Sequence, residues 1–123
     1  MTKRNIVHIV IPTSDRVKSG KFYEQLFGWK ITHDDKMNYT LWEPTTGPGG
    51  GFTMLDETTK VGNILIHVAS DDIEADLKKV EKLGGKVFRH KSEIPGIGWW
   101  GVFTDPTGNM IALYTDMRPD REH

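Results

Sequence analysis

The chain has 123 residues, 16 basic and 17 acidic side chains, and no cysteine. That length favours one compact domain with a core of its own. A formal charge of -1, with Lys and Arg scattered along the chain, gives no field for a polyanion, so nucleic acid is a poor partner. The lack of cysteine excludes disulfides, thiolate metal sites and cysteine nucleophiles.

The first alternating run is NIVHIVIP. Ile6, His8 and Val10 fall on one face of a strand, with Val7, Ile9 and Ile11 on the other. After Pro12, Ser14 or Asp15 caps a helix whose apolar side is Val17, Phe22, Leu26 and Phe27, with Gly28 as its C-cap. WKITHD, NYTLWEP and a glycine-rich approach, TGPGGGFTML, supply three more strands. The pattern then restarts. NILIHVAS reads as a strand, Asp71 or Asp72 caps a helix with Ile73, Leu77, Val80 and Leu83 on one stripe, and Gly84 and Gly85 end it. KVFRHK, GWWGVFTD and NMIALYT follow as strands, and DPTG forms a turn between the last two. HKSEIPGIG and EPTTGPGGG read as loops bordering a ligand site. The second is not a phosphate loop, because it lacks the Gly-Lys-Ser/Thr ending and a following helix.

A shift of 57 residues carries Asp15 onto Asp72, Leu26 onto Leu83 and Gly28 onto Gly85. Strand, capped helix, glycine and three strands thus occur twice. The expected fold is α+β: two βαβββ modules forming a cupped, pseudo-twofold mixed sheet with the helices outside. One domain is expected over 1–117, with modules at about 1–58 and 59–117 and a polar, frayed tail at 118–123. No apolar run approaches the ~18 residues that span a bilayer, and MTKRNIVHIVIP has no signal-peptide pattern. The expectation is therefore a cytoplasmic protein with no membrane partner.

HIVIPTSD, FYEQLFGW, SDDIEADLKKVEKLGGKV and IPGIGWWGVFTDPTGNMIALY resemble the vicinal oxygen chelate superfamily, which includes glyoxalase I, methylmalonyl-CoA epimerase, bleomycin-resistance proteins and extradiol dioxygenases. The resemblance covers nearly the whole chain and implies the fold above. It also implies homodimers and a divalent metal held by side chains from the first and fourth strands of each half, stabilising a developing enolate. Of those four positions only His8 matches. Leu65 lies opposite His8 at the shift of 57, and His67 stands two residues on, ~7 Å along the strand. Thr53 and Ala112 occupy the fourth-strand positions. The standard metal centre, and any other cofactor, is therefore not expected.

The expected ligand-binding residues are His8, His67, Glu43, Thr53, Trp99, Ala112 and Tyr114, with His8 and His67 as the catalytic candidates. Imidazole titrates near working pH and suits acid–base duty. Trp99 and Trp100 must point to opposite faces, so only one of them lines a given side. Met54 and Met110 read as filler, and His33 and His90 as surface residues. The reading of the whole is a protein that binds a small molecule in its concave sheet, as a homodimer. The alternative is a metal-dependent lyase, isomerase, epimerase or dioxygenase-type enzyme with a non-standard site around His8 and His67.

Overall fold

A computed structural model describes residues 4–57 and 59–118. It contains the strands and helices in the expected order: β1 (Ile6–Thr13), α1 (Arg16–Phe27), β2 (Lys30–Asp34), β3 (Tyr39–Glu43), β4 (Gly50–Met54), β5 (Leu65–Ala69), α2 (Ile73–Lys82), β6 (Lys86–Ile94), β7 (Gly98–Thr104) and β8 (Met110–Asp116). The fold is α+β, built of two βαβββ modules. One compact unit is residues 7–65. The other joins residues from 66 onward to residues 4–6. The N-terminal segment thus packs with the second module, not the first. Arg4 Nη1 lies 2.6 Å from Asp76 Oδ2, and the Ala69 amide donates to the Asn5 carbonyl at 2.9 Å.

In the first module the strand order is β2-β3-β4-β1, with β1 and β4 parallel and the other pairs antiparallel. Asp15 caps α1 by accepting from the Lys18 amide, and Gly28 ends it at φ 75°, a left-handed conformation that glycine adopts without steric strain. The helix sits close to the sheet at Gly20, where a Cβ would come within 2.9 Å of Ile31. Aromatic rings fill the rest of that contact. Tyr23 stacks on Phe52 and Trp29, and Trp29 lies 4.3 Å from Trp42, centroid to centroid. The expected apolar side of α1 is therefore not its packing side. Val17, Phe22, Leu26 and Phe27 are all more than half exposed, because Gly20 and Tyr23 make the contact instead.

In the second module the order is β5-β8-β7-β6, with β5 and β8 parallel. Asp72 caps α2 by accepting from the Ala75 amide. Ile73 and Leu77 are buried against Leu113, with Val68, Val87, Trp99 and Phe103 packed around them. Leu83, expected on the same stripe, is exposed at the end of the helix.

β6 runs to Ile94, so most of the expected loop HKSEIPGIG is strand. Register shifts between Val87 and Arg89 and between Arg89 and Ser92 break the period-two alternation that would reveal it. A tight turn then closes the hairpin, with Ile97 N–H donating to Ile94 O at 2.9 Å and Gly96 at φ 75° after Pro95, as a type II turn requires.

The DPTGN segment is a turn built around one carboxylate. Asp105 Oδ1 accepts from the amides of Thr107, Gly108 and Asn109 at 2.8–3.0 Å, and Oδ2 accepts from the Asn109 side chain. These bonds, led by that of the Asn109 amide, hold the Asp105 carboxyl below its ordinary pKa. No described helix is long and apolar enough to cross a membrane. Residues 119–123 of the expected tail lie outside the described residues. Arg118, where that tail begins, grips the Asp116 side chain at the end of β8 through both carboxylate oxygens.

Candidate functional site

In each module one sheet face meets the helix and the other does not. In the first, Phe52, Thr40 and Trp42 belong to the face of α1, as their contacts with Tyr23, Gly20 and Trp29 show. Alternation and register then place His8, Val10, Gly51, Leu41, Tyr39, Thr53 and Glu43 on the opposite face. In the second, Leu113, Trp99 and Phe103 belong to α2. His67, Ala112, Tyr114, Asp116, Val102 and Trp100 occupy the helix-free face. Of the adjacent tryptophans it is therefore Trp100, and not the expected Trp99, that shares a face with His67. Trp99 is committed to the helix side, where Lys91 Nζ lies 5.0 Å from its ring.

The first module's helix-free face centres on a side chain that the sequence reading passed over. Tyr39 leaves β3, crosses β4 over Gly51 and brings its hydroxyl to 3.0 Å from His8 Nε2. The two rings are stacked. A Cβ on Gly51 would run into the Tyr39 ring and hydroxyl, so the glycine is what opens the crossing. Burial pushes the Tyr39 hydroxyl up to about 12, against the opposing effect of a hydrogen bond with Thr53. At neutral pH it is a phenol that can donate. Thr53 itself is level with Pro12, not His8. That is four residues along β1, or ~13 Å, so it acts through Tyr39 and not beside His8. Glu43 sits exposed at the end of β3, in register with Lys30. His33 is exposed and bonds Thr40 at 2.8 Å on the α1 side.

The second module repeats the arrangement with different atoms. His67 is directly level with Ala112, so the small residue stands beside the histidine. Trp100, on β7, stacks with His67 across β8 at 6.2 Å between centroids and 16° between planes. Ala112 is fully buried. One offset of 61 residues relates Tyr39 to Trp100 and Gly51 to Ala112. An aromatic from the third strand thus crosses a small residue on the fourth and meets a histidine on the first, twice. Beyond Trp100, the Arg89 guanidinium lies over its ring, 4.8 Å from the centroid. Tyr114 donates to Asp116 at 2.8 Å. Burial and that carboxylate push Tyr114 up to about 12, with Arg118 opposing. His90 is exposed and pairs with Glu74 at 3.3 Å on the α2 side.

These donors do not fit the divalent centre that the resemblance implies. Ala112 offers no ligand atom, Thr53 is out of register with His8, and no group of three or more His, Asp or Glu that could hold an ion comes together among the described residues.

Residues 8–114 match the family model of the glyoxalase-like domain. The probable lactoylglutathione lyase of Vibrio parahaemolyticus is 31% identical over 128 residues, covering 92% of this chain and 91% of that protein. CFP32 of Mycobacterium tuberculosis is 28% identical over 120 residues, covering 85% of this chain and only 42% of that protein. The chain thus spans less than half the length of several relatives it matches. Among solved structures, methylmalonyl-CoA epimerase from Mycobacterium tuberculosis matches with a TM-score of 0.71 at 15% identity, covering 94% of this chain and 91% of that one. That likeness carries the fold alone.

The fold and the family match define a protein of the vicinal oxygen chelate superfamily. Within it, the chain belongs to the glyoxalase-like domain family.

Proposed function

We propose that this chain binds a small molecule on its helix-free sheet faces without the superfamily's standard metal centre, as a cytoplasmic homodimer. The supporting observation is the double crossing. Tyr39 over Gly51 and Trp100 over Ala112 put aromatic rings against His8 and His67, and His8 stands at a position where the family places a ligand side chain. Aromatic walls with a few convergent polar groups suit a small, partly planar ligand. The test is elemental mass spectrometry on untagged protein after dialysis against Ni, Zn, Mn, Fe and Co in turn. Metal far below one ion per chain is expected. Near-stoichiometric metal that disappears in His8→Ala would overturn the reading.

A second reading rests on the 3.0 Å contact between Tyr39 and His8. A protonated phenol next to an imidazole is a proton-transfer pair. It suits a lyase, isomerase or epimerase acting on a small oxo compound, in line with the name of the Vibrio relative. In this reading His8 and Tyr39 move a proton adjacent to a carbonyl, and His67 shapes the other module's face. Turnover that survives replacement of both histidines by alanine would remove it.

A further inference from the structure

On the helix-free face of the second module, Arg89 stands out. It is exposed at the register shift of β6, its guanidinium rests on Trp100 at 4.8 Å, and no carboxylate among the described residues pairs with it. The other arginine on this side, Arg118, is already committed to Asp116 through two hydrogen bonds of 2.9–3.0 Å. A guanidinium held over an indole by cation–π attraction still has N–H groups to offer a further partner, and the contact limits where the fork can swing. That is the presentation that a carboxylate or phosphate oxygen pair accepts best. Ser92, in register with Trp100, donates its hydroxyl to the His90 carbonyl at 2.9 Å, so Arg89 is the group that meets an anion here. On the other side of the indole lies His67, the acid–base candidate of this module.

We propose that Arg89, held over the ring of Trp100, is an anion-binding residue, and that the small molecule taken by this face carries a carboxylate or phosphate that meets Arg89 while the rest of it lies toward His67. This rests on the small-molecule reading above and narrows it to anionic ligands.

The experiment is amide and indole NMR titration of the intact protein with three probes: pyruvate, inorganic phosphate and the neutral pyruvamide. Arg89→Ala and Arg89→Lys are titrated alongside. The expected result is that pyruvate or phosphate shifts the Trp100 indole N–H resonance with saturation while pyruvamide does not. Arg89→Ala should weaken anion binding at least about tenfold. Arg89→Lys should recover part of it, since a lysine keeps the charge and loses the fork. If pyruvamide binds as well as pyruvate, or Arg89→Ala binds the anions like the parent, the anion assignment is wrong while small-molecule binding stands. If none of the three probes moves Trp100, both the assignment and small-molecule binding at this face fall. Arg89 is exposed, so its variants are expected to fold.

Discussion

In the first module the side chain that crosses the fourth strand is Tyr39, and it ends in a hydroxyl 3.0 Å from His8 Nε2. In the second it is Trp100, and it meets His67 ring to ring at 6.2 Å. The residue crossed is glycine in one and alanine in the other, and the size fits the approach. A Cβ at position 51 would collide with the tyrosine itself, whereas the methyl of Ala112 is accommodated and fully buried. The chemistry divides accordingly. A phenol against an imidazole can exchange a proton. An indole against an imidazole cannot, but it offers a flat surface on which Arg89 rests. On the readings proposed above, proton chemistry belongs to the first face and recognition to the second.

The most severe way to break the comparison is to restore a carboxylate at the fourth strand. Ala112→Glu would place a charged group in a fully buried position next to His67 and in the path of Trp100. A buried charge without a designed partner typically destabilises by ~3–5 kcal/mol. Urea unfolding is expected to show a loss of that size, with the Trp100 fluorescence environment changed. An Ala112→Glu protein that unfolds like the parent would mean that the crossing does not constrain this position. Gly51→Ala comes next. Overpacking of this kind costs about 1–3 kcal/mol, and expelling Tyr39 is the simplest relief. The matched control is Ala112→Gly, which removes a methyl and leaves the crossing open. It should lose only the ~0.5–1 kcal/mol of a strand glycine. Equal losses for Gly51→Ala and Ala112→Gly would erase the asymmetry.

The sequence carried the fold because its signals are local. Asp15 and Asp72 cap their helices and Gly28 ends one. The 57-residue shift exposed the repeat. The DPTGN motif belongs to this legible part, and it proves to be a turn device whose carboxylate accepts from the amides of its own turn. What stayed hidden depends on contacts across strands. Alternation showed that Trp99 and Trp100 point apart, but only the packing of Trp99 around Leu113 decides which of them faces His67. Tyr39 was invisible as a site residue because its target lies two strands away, across Gly51. A glycine run reads as a loop until the ring that fills it is seen. Thr53 and Ala112, taken as the two fourth-strand positions, are 59 residues apart, whereas the aligned crossings require 61. A slip of two residues preserves the face and therefore escapes parity.

Tyr39→Phe sharpens the comparison at smaller scale. It keeps the ring over Gly51 and removes only the hydroxyl bonded to His8. A loss of ~1 kcal/mol is expected, together with loss of any proton-transfer activity. The pH dependence has a definite sign. Because the folded Tyr39 hydroxyl is raised to about 12 above an unfolded value of ~10, its contribution is complete below pH ~10 and is lost as pH rises toward 12. The parent should lose stability across that window more steeply than Tyr39→Phe. Tyr114 is also raised to about 12, so some alkaline slope must remain in the variant. Identical slopes in the two proteins would show that the hydroxyl is not held as described.

The smallest effect tests the turns that precede the crossed strands. The β7–β8 turn is tied by Asp105 to three backbone amides. No such carboxylate is described in the 44–49 connection before β4, where an added Gly49 Cβ would meet the Trp42 carbonyl. The folded Asp105 carboxyl is held below its ordinary value, first by the Asn109 amide. Its contribution is therefore present above the unfolded pKa of ~3.9 and lost as pH falls through the lower folded value. Acidification should speed opening of the β7–β8 turn relative to the 44–49 connection. Amide exchange at Thr107, Gly108 and Asn109, corrected for the intrinsic pH effect on exchange, reads this directly. In Asp105→Asn the same amides should open more readily at neutral pH and respond little to acid, because an uncharged acceptor has nothing left to titrate. If acid loosens both connections equally in the parent, the carboxylate is not what distinguishes them. The rigidity beneath Ala112 would then come from the β7–β8 ladder alone.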